Sequence, residues 1–575
     1  MKAARVTSTG PKKRYPNLWL ICVLLGGAAL TACNGTSSPA SGTPSSGGVM
    51  TSKSDATRLL EQGTFGPTAQ DIAHVQGVGT EAYLSEQFAL PAGGYPGFAY
   101  YTHTPGVSCQ YDPTAPTGPA SLCARDHYTL FQVQRLFFTN ALTGADQLRQ
   151  RVAFALSQIF VVSGTDIYEA YGMAAYQNML LNDAFGNFRD LLTDATLNPA
   201  MGNYLDMVNN DKPNPSLGTE PNENYARELM QLFSIGVNKL NLDGSEQKDV
   251  KGQPIPTYDQ GVVEGYAHLF TGWTYAPRPG VTSKWTNPIN YEGNMVLFAL
   301  HHDTAAKLIL GGKIIPAGQT PQQDLKDGLD AIFNHPNVGP FIGRQLIQHL
   351  VTSNPSPGYV ARVATVFNDN GQGVRGDLRA VVRAVLIDPE ARGDSKSDAA
   401  YGHLREPALT MTSLLRSLGG QSDGVYLRGQ SIAMGQNIFI PATVFNYYPP
   451  DYQVPGLVAG THDLAPEFGI QDTTTTLTRA NFVYRLVYGN GVAPDPTVSG
   501  SIGTQLDLTT LQAYASDADA LVEQLNQRLM HGALTGGAHT TIAGAVNAVA
   551  SSDLTQRTFM AMYLLASSLQ YQVER

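Results

Sequence analysis

Cysteine is scarce in this chain, with four cysteines among 575 residues. Cys22 and Cys33 lie near the start, which leaves Cys109 and Cys123 for the rest of the chain. A structural zinc site needs about four ligands, more than this pair supplies locally. In an oxidising compartment the pair is therefore expected to form a disulfide, a cross-link worth about 3 kcal/mol in the chain-entropy model.

Long apolar segments are lacking as well, and the apolar run near the N-terminus covers only residues 18–30. A helix of that length is about 20 Å long, too short for a hydrocarbon core of about 30 Å. Five basic residues precede the run, and Leu30-Thr31-Ala32-Cys33 ends it. This order resembles a bacterial lipoprotein signal, which implies cleavage before Cys33 and membrane anchoring through its lipid. By the same resemblance, Asn34 favours the outer membrane of a Gram-negative envelope, on its periplasmic or its surface face.

Positive charge is scarce once residues 1–32 are removed as a signal peptide. The five basic residues are lost with it, so 32 Lys and Arg remain against 47 Asp and Glu, a formal net charge of −15. This balance argues against nucleic acid as a partner. Residues 33–54 are mostly Ser, Gly, Pro and Thr and are predicted to form a flexible tether, whereas residues 55–575 are predicted to form one large domain.

Strand-like alternation is scarce, and the absence of a repeat of fixed period argues against solenoids and propellers. Helical periodicity predicts a helix over residues 147–162, and Ser356 and Asp377 are expected to cap two further helices. Turn residues between Asn241 and Thr257 predict hairpins. The predicted fold class is mainly α, a large multi-helix domain with a few short β-hairpins between helices.

A glycine-rich segment, GQGVRG at residues 371–376, matches the fingerprint of dinucleotide-binding proteins. That loop binds a pyrophosphate only where it follows a strand and begins a helix. A helical pattern precedes it here. The segment is therefore interpreted as a turn, in which Asn370 and Gly371 end one helix in left-handed geometry and Asp377 caps the next.

The first candidate for a functional site is the predicted helix at residues 223–233, ENYARELMQLF. At about 100° per residue its polar side chains share one stripe: Asn224, Arg227, Glu228 and Gln231, with Glu223 beside them. In a buried stripe, Arg227 would keep one carboxylate ionised while burial raises the pKa of the other. Glu223 and Glu228 are therefore candidates for acid and base, and Arg227 would orient them or bind an anionic group. Asn224 is assigned to substrate binding. A solvated stripe would instead be an amphipathic helix with a salt bridge.

A second candidate lies at His301-His302-Asp303, followed by Lys307. Histidine suits proton transfer near neutral pH, and together with an acid it also ligates metals. His302 and Asp303 are therefore predicted to complete the catalytic site, and Lys307 is assigned to substrate binding.

A divalent metal remains an open alternative at this cluster. Adjacent residues seldom face one ion, so further ligands would be needed. Glu264 and His268, which lie one helical turn apart, are candidates for these ligands. Neither a HExxH motif nor an EF-hand loop is present, and no other cofactor is predicted. Trp273 is assigned to substrate binding because an exposed ring stacks on sugars, whereas a buried ring would belong to the core.

Several motifs, in order along the chain, resemble the bacterial domain-of-unknown-function family 1800. They are RLLEQGTFGPT at 58–68, LRQRVAF at 148–154, the helix at 223–233, FTGW at 270–273, His302-Asp303, HPN at 335–337, NGQGVRGD at 370–377, LREP at 404–407 and the segment 441–450. The resemblance implies an exported, largely helical bacterial protein, considered alongside a sulfatase-like partner family. It supplies no agreed reaction or catalytic residues. His268 stands where a member of the family is expected to carry arginine.

Two hypotheses of different classes follow. The first is an extracytoplasmic hydrolase or lyase that acts on a polysaccharide. The second is a non-catalytic surface protein that binds or assembles an envelope polymer or a partner protein, with its polar motifs in buried networks. Catalysis needs Glu223 or Glu228 to converge with His302 on an open cleft, whereas the second hypothesis needs these groups satisfied beneath the surface.

Overall fold

The computed structural model of the chain describes residues 51–101, 119–393, 396, 398, 400–456 and 463–575. These residues belong to one unit in which helices dominate. Helices make up 51% of the structure, and the described part contains 23 of them beside four two-stranded sheets. The prediction of a mainly α fold with a few short hairpins is therefore confirmed.

The helices vary from one turn to four. In chain order they are α1 Lys53–Gly63, α2 Ala69–Val78, α3 Thr80–Ala89, α4 Pro119–Tyr128, α5 Phe131–Thr143, α6 Gln147–Ile159, α7 Ala170–Asp183, α8 Phe188–Leu197, α9 Pro199–Tyr204, α10 Asn224–Gln231, α11 Gln260–Leu269, α12 Pro321–Phe333, α13 Val338–Leu350, α14 Pro357–Asn368, α15 Leu378–Ile387, α16 Pro407–Ser417, α17 Val425–Ala433, α18 Thr473–Val487, α19 Thr509–Gln512, α20 Ala518–Leu529, α21 Gly536–Asn547, α22 Leu554–Ala566 and α23 Leu569–Gln572. The strands are β1 Trp273–Thr274, β2 Val296–Leu297, β3 Lys307–Ile309, β4 Lys313–Ile315, β5 His403–Leu404, β6 Gln421–Ser422, β7 Thr504–Gln505 and β8 Val573–Glu574.

The two predicted helix caps are confirmed. The Ser356 hydroxyl accepts from the Tyr359 N–H (3.1 Å) at the start of α14, and the Asp377 carboxylate accepts from the Ala380 N–H (3.1 Å) at the start of α15. Each side chain thereby satisfies one of the backbone donors that a first helical turn leaves unpaired.

Helix α6 is shorter and more deeply buried than predicted. It ends at Ile159 rather than Val162, because the backbone leaves helical geometry at Phe160, where ψ is 73°. Gln150 is also buried, although it is polar, and its Nε2 donates to the Gly93 carbonyl (2.6 Å). Neighbouring helices pack on more than one side of α6, so a one-sided apolar pattern understates its part in the core.

The four sheets connect both neighbouring and distant parts of the chain. β1 pairs with β2 and β3 with β4 over short separations, whereas β5 pairs with β8 and β6 with β7. Between Asn238 and Pro256 the chain forms isolated bridges around Gly244 and Gly252, whose φ angles are 79° and 78°. The turns predicted in this segment therefore exist, but they join bridges rather than full strands.

Helix α11 lies directly against β3, with no room for a side chain between them. A Cβ on Gly265 would lie 1.7 Å from the Leu308 carbonyl oxygen. Only glycine permits this approach. The contact fixes α11, and with it the side chains that α11 presents to solvent.

The glycine-rich segment is a turn between two helices, as interpreted. It follows α14 and precedes α15, and the Asp369 carboxylate accepts from the N–H groups of Gly371 (2.8 Å) and Gly373 (2.9 Å). Gly371 has a φ of 88°, the left-handed geometry predicted for it. The preceding helix ends at Asn368, before the Asn370-Gly371 pair.

Some predictions concern residues outside the described part, namely the signal peptide at residues 1–32 and the lipid attachment at Cys33. Cys123 lies in α4, but its expected partner Cys109 lies outside the described residues, so the disulfide stays a prediction. Among the described helices, none is both long and apolar enough to cross a membrane.

Candidate functional site

The segment His301-His302-Asp303 directs its three side chains to three different places. The His301 ring stacks on Trp285, with centroids 4.0 Å apart, and its Nδ1 donates to Asp211 Oδ2 (2.8 Å). His302 is buried, and Asp303 lies against α11. The backbone is extended at His302, and successive side chains on extended backbone point to opposite sides. The three residues therefore do not serve one site.

His302 belongs to a buried ionic cluster with Asp324 and Lys307. His302 donates from Nδ1 to the Thr271 carbonyl (2.9 Å) and from Nε2 to Asp324 Oδ2 (3.0 Å). Lys307 Nζ lies 2.8 Å from the same Asp324 oxygen, and the three side chains are at most 2% exposed. Burial would raise the pKa of Asp324, but the hydrogen bonds from His302 and Lys307 hold it below its usual value.

The structure corrects the positions expected for three residues. His302 does not converge on an open cleft, because both of its ring nitrogens face buried acceptors. Lys307 is not available to substrate, because its ammonium group is paired with Asp324. Trp273, expected to stack on sugars, is 5% exposed and lies in the core.

His268 and Asp303 form an acid–histidine pair that reaches solvent. His268 Nδ1 donates to Asp303 Oδ2 (2.5 Å), and the two side chains are 28% and 13% exposed. Burial would raise the pKa of Asp303, but the Ala305 N–H and the His268 ring hold it below its usual value. Because Nδ1 is hydrogen-bonded to a carboxylate, Nε2 is the ring nitrogen that can exchange a proton.

Polar residues from α10 and α11 meet beside this pair. Gln260, Glu264 and His268 are spaced four residues apart on α11, so they share one face, here called the polar face. Gln260 Nε2 donates to both Glu223 carboxylate oxygens (2.9 and 3.0 Å) and to Glu264 Oε1 (3.3 Å). Arg227 Nη2 donates to Glu223 Oε2 (2.7 Å), and this pair is more than a third exposed.

Glu228 lies beneath this surface on α10. The residue is 8% exposed, and its Oε2 is buried without a hydrogen-bond partner in the described part of the chain. Burial raises the pKa of Glu228, and the charge of Arg227 offsets only part of that shift. Two tyrosines lie close enough to Glu228 for its charge to affect them. Burial, and then nearby acidic charges that include Glu228, raise the pKa of Tyr204 to about 12. Burial, together with the charge of Glu228, also raises the pKa of Tyr258.

The two candidate carboxylates therefore do not share one stripe. Residues five apart in a helix are about 140° apart around its axis, and here Glu223 faces solvent while Glu228 faces inward. Asn224 is exposed, and its Nδ2 donates to Asp206 Oδ2 (3.1 Å). The structure thus places Glu223, Asn224 and Arg227 at the surface and Glu228 below it.

The donors for a metal ion are dispersed in this region. Among the residues that the structure describes, no three His, Cys, Asp or Glu side chains are grouped to hold a metal ion. Of the two candidates on α11, His268 is bound to Asp303, and Glu264 accepts from Gln260.

Sequence reasoning missed a buried ionic chain that joins distant segments. We use this name for six residues, which alternate between basic and acidic side chains: His531, Glu61, Arg405, Glu574, His403 and Glu467. The closest contacts are 2.9 Å from His531 to Glu61, 2.7 Å from Glu61 to Arg405 and 3.2 Å from His403 to Glu467, and Glu574 lies 3.7 and 3.8 Å from its two neighbours. All six side chains are less than a tenth exposed. Because partners such as Glu61 and His531 lie far apart in the sequence, no local sequence spacing predicts the ionic chain.

The fold and the site define a mainly helical protein that carries a solvent-facing His–Asp pair at one helix and a buried carboxyl group on the helix in contact with it. The chain belongs to the family described as Protein of unknown function (DUF1800), whose model matches residues 58–573. The family membership predicted from the motifs is therefore confirmed. No curated protein and no solved structure matches the chain.

Proposed function

We propose that this protein is a lipid-anchored hydrolase or lyase of the cell envelope that acts on a polysaccharide, with Glu228 as its proton donor. The lipoprotein signal that ends at Cys33 supports export and anchoring in the outer membrane. The same proposal includes a disulfide between Cys109 and Cys123 and a sulfatase-like partner protein, and it excludes nucleic acid because the chain is acidic.

The environment of Glu228 carries the proposal. A buried carboxyl group with a raised pKa keeps its proton to a higher pH than an exposed glutamate does. Such a group can donate that proton to the leaving oxygen when a glycosidic bond breaks. Glu228 is the one acidic residue within α10, and Glu223, which precedes the helix, is partly exposed and ion-paired to Arg227.

His268, held by Asp303, supplies the second proton-transfer group. In hydrolysis, its Nε2 accepts a proton from the water whose oxygen attacks the anomeric carbon, while the leaving oxygen takes the proton of Glu228. In a lyase, Nε2 instead accepts a proton from a ring carbon, and the electron pair of that C–H bond forms a double bond as the glycosidic oxygen leaves. Glu264 on the polar face offers a carboxylate acceptor for sugar hydroxyls, whereas the Gln260 amide donates to Glu223 and Glu264.

The experiment compares the full chain with its Glu228→Gln variant on a panel of envelope and plant polysaccharides, together with thermal unfolding. Glu220→Gln is the matched control, because Glu220 is exposed and lies shortly before α10. We expect Glu228→Gln to lose about 100-fold or more in turnover at an unchanged melting temperature, the usual contribution of a general acid. Equal turnover in all three proteins would refute the assignment of Glu228.

A non-catalytic binding protein is the second candidate, and the cluster of His302, Asp324 and Lys307 favours it. These polar residues stabilise one another below the surface, as a structural network does. This candidate predicts that neither wild type nor any variant turns over a polysaccharide, while wild type binds one of them. The same panel therefore distinguishes the two functions when binding is measured beside turnover.

A further inference from the structure

The Thr271 hydroxyl joins the two backbone segments that carry the His268–Asp303 pair. Its Oγ1 donates to the His268 carbonyl (2.7 Å) and accepts from the Asp303 N–H (2.9 Å). Thr271 is fully buried, so both hydrogen bonds are shielded from solvent. One hydroxyl group therefore connects two residues that lie 35 positions apart in the sequence.

The His268 carbonyl needs a partner from outside its helix. Helix α11 ends at Leu269, so this carbonyl lies in the last turn, where carbonyls lack a partner from a following turn. Its contact with the Thr271 N–H is long, at 3.4 Å, whereas the contact with the Thr271 hydroxyl is 2.7 Å. The hydroxyl thus completes the end of α11 and at the same time pairs the Asp303 N–H.

Thr271 is itself held in place by buried contacts. Its carbonyl accepts from His302 Nδ1 (2.9 Å), and His302 Nε2 contacts Asp324 (3.0 Å) within the buried ionic cluster. The next residue, Gly272, has a φ of 89°, and a Cβ added there would lie 3.0 Å from the backbone nitrogen of His302. The backbone at Thr271 is therefore packed closely against the segment that carries Asp303.

The Asp303 carboxylate is oriented by a second contact. Its Oδ1 accepts from the Ala305 N–H (2.9 Å), while its Oδ2 accepts from His268 Nδ1 (2.5 Å). The direction of the carboxylate therefore depends on two backbone N–H groups of its own segment, those of Asp303 and Ala305. Thr271 binds the first of them.

We propose that Thr271 is the positioning residue of the His268–Asp303 pair. Its hydroxyl holds the end of α11 and the Asp303 backbone at the separation at which Nδ1 meets Oδ2. The carboxylate then keeps the His268 ring in the orientation and tautomer in which Nε2 exchanges protons. Where turnover is concerned this inference rests on the proposed function, whereas the geometry of the pair is measured without a substrate.

Proton NMR of the full chain tests that geometry. A proton in a short hydrogen bond between an imidazole and a carboxylate gives a signal far downfield, which is assigned here by its loss in His268→Gln. We expect Thr271→Val, which keeps the shape but removes the hydroxyl, to lose this signal and Thr271→Ser to retain it. An unchanged signal in Thr271→Val, or a wild type without the signal, would overturn the proposal.

Turnover of a polysaccharide gives the second readout. We expect Thr271→Val to lose about 10- to 100-fold in kcat at an almost unchanged KM, because a misplaced proton-transfer group slows the reaction while the substrate contacts remain. Thr271→Ser should recover most of this loss, and an equal loss in both variants would overturn the role of the hydroxyl. A wild type that turns over no polysaccharide would refute the proposed function, and the NMR signal would still decide the role of Thr271.

Thr274→Val is the matched control for the loss of a buried hydroxyl. Thr274 is as buried as Thr271, but its hydroxyl donates to Asn209 Oδ1 (2.6 Å) and not to the pair. Only Thr271→Val should change the signal and kcat, and equal changes in the two valine variants would overturn the proposal. If Thr271→Val does not fold, amide hydrogen exchange in the wild type decides: we expect the Asp303 N–H to be protected, and exchange as fast as in a solvated loop would overturn its bond to Thr271.

Discussion

At the residue scale, Asp324 is the acid that holds the buried ionic cluster together. Its carboxylate is the shared partner of His302 and Lys307, and all three side chains are buried. Removal of one partner from a buried ionic group leaves the others uncompensated.

We therefore expect Asp324→Asn to lower the free energy of unfolding by about 3–5 kcal/mol, measured by urea denaturation. Asp327→Asn on the same helix is the control, and it should change this value by less than about 0.5 kcal/mol. Because the folded-state pKa of Asp324 is lowered, its stabilisation is present above the unfolded pKa and is lost as pH falls through the folded pKa. Equal stability of the two variants would contradict the role given to the cluster.

The direction of single side chains is what the sequence could not predict at this scale. Glu223, Arg227 and Glu228 lie at α10 and Asp303 lies against α11, so the sequence could indicate part of the candidate site, whose function stays a prediction. The inward turn of His302 depends on Thr271 and Asp324, which reach it from other segments. The pairing of Asp303 with His268 spans 35 positions, so no local pattern indicates it.

At the scale of elements, the contact between α11 and β3 positions the side chains of the candidate site on α11. Gly265 sits at this contact, and an added Cβ would meet the Leu308 carbonyl oxygen at 1.7 Å. A rigid backbone atom cannot move aside as a flexible side chain can.

Gly265→Ala is therefore expected to lower the free energy of unfolding by about 1–3 kcal/mol. Gly261→Ala on the same helix is the matched control, because its Cβ would meet ordinary contacts of 3.5 and 3.6 Å, and we expect it to be neutral or to stabilise by up to about 1 kcal/mol. Chemical denaturation measures both values. A result in which Gly265→Ala is as stable as Gly261→Ala would show that α11 and β3 are not in this contact.

Secondary-structure elements could be predicted best where their sequence signals are local. The caps at Ser356 and Asp377 were predicted because a capping side chain, its helix and its bond lie within four residues. The end of α6 was misplaced by three residues, because apolar residues continue past Ile159 and the periodicity alone gives no stop signal.

At the scale of the whole molecule, the ionic chain and β5–β8 tie the first helix to the last strand. Arg405 binds Glu61 of α1 and lies beside Glu574 of β8. The motifs RLLEQ at 58–62 and LREP at 404–407, by which the family was recognised, contribute to this contact. The family resemblance identifies these motifs in the sequence, but only the folded structure shows which residues they contact.

The whole molecule is also expected to be held at a membrane by one residue. Cys33→Ala should release the protein from the membrane fraction and abolish incorporation of radiolabelled palmitate, because the proposed lipid anchor would be attached to that thiol. Cys22→Ala, within the same apolar run, should leave both unchanged. Palmitate incorporated into Cys33→Ala as in wild type would show that the lipid is attached elsewhere.

The pH dependence of polysaccharide turnover tests the role of Glu228 most directly. A proton donor acts only while protonated, so on the high-pH side turnover by the wild type should fall as pH rises through the pKa of Glu228. Because burial raises that pKa, the fall should lie above the range of an exposed glutamate, and Glu228→Gln should lose both the rate and this limb. A falling limb that persists unchanged in Glu228→Gln would contradict the account.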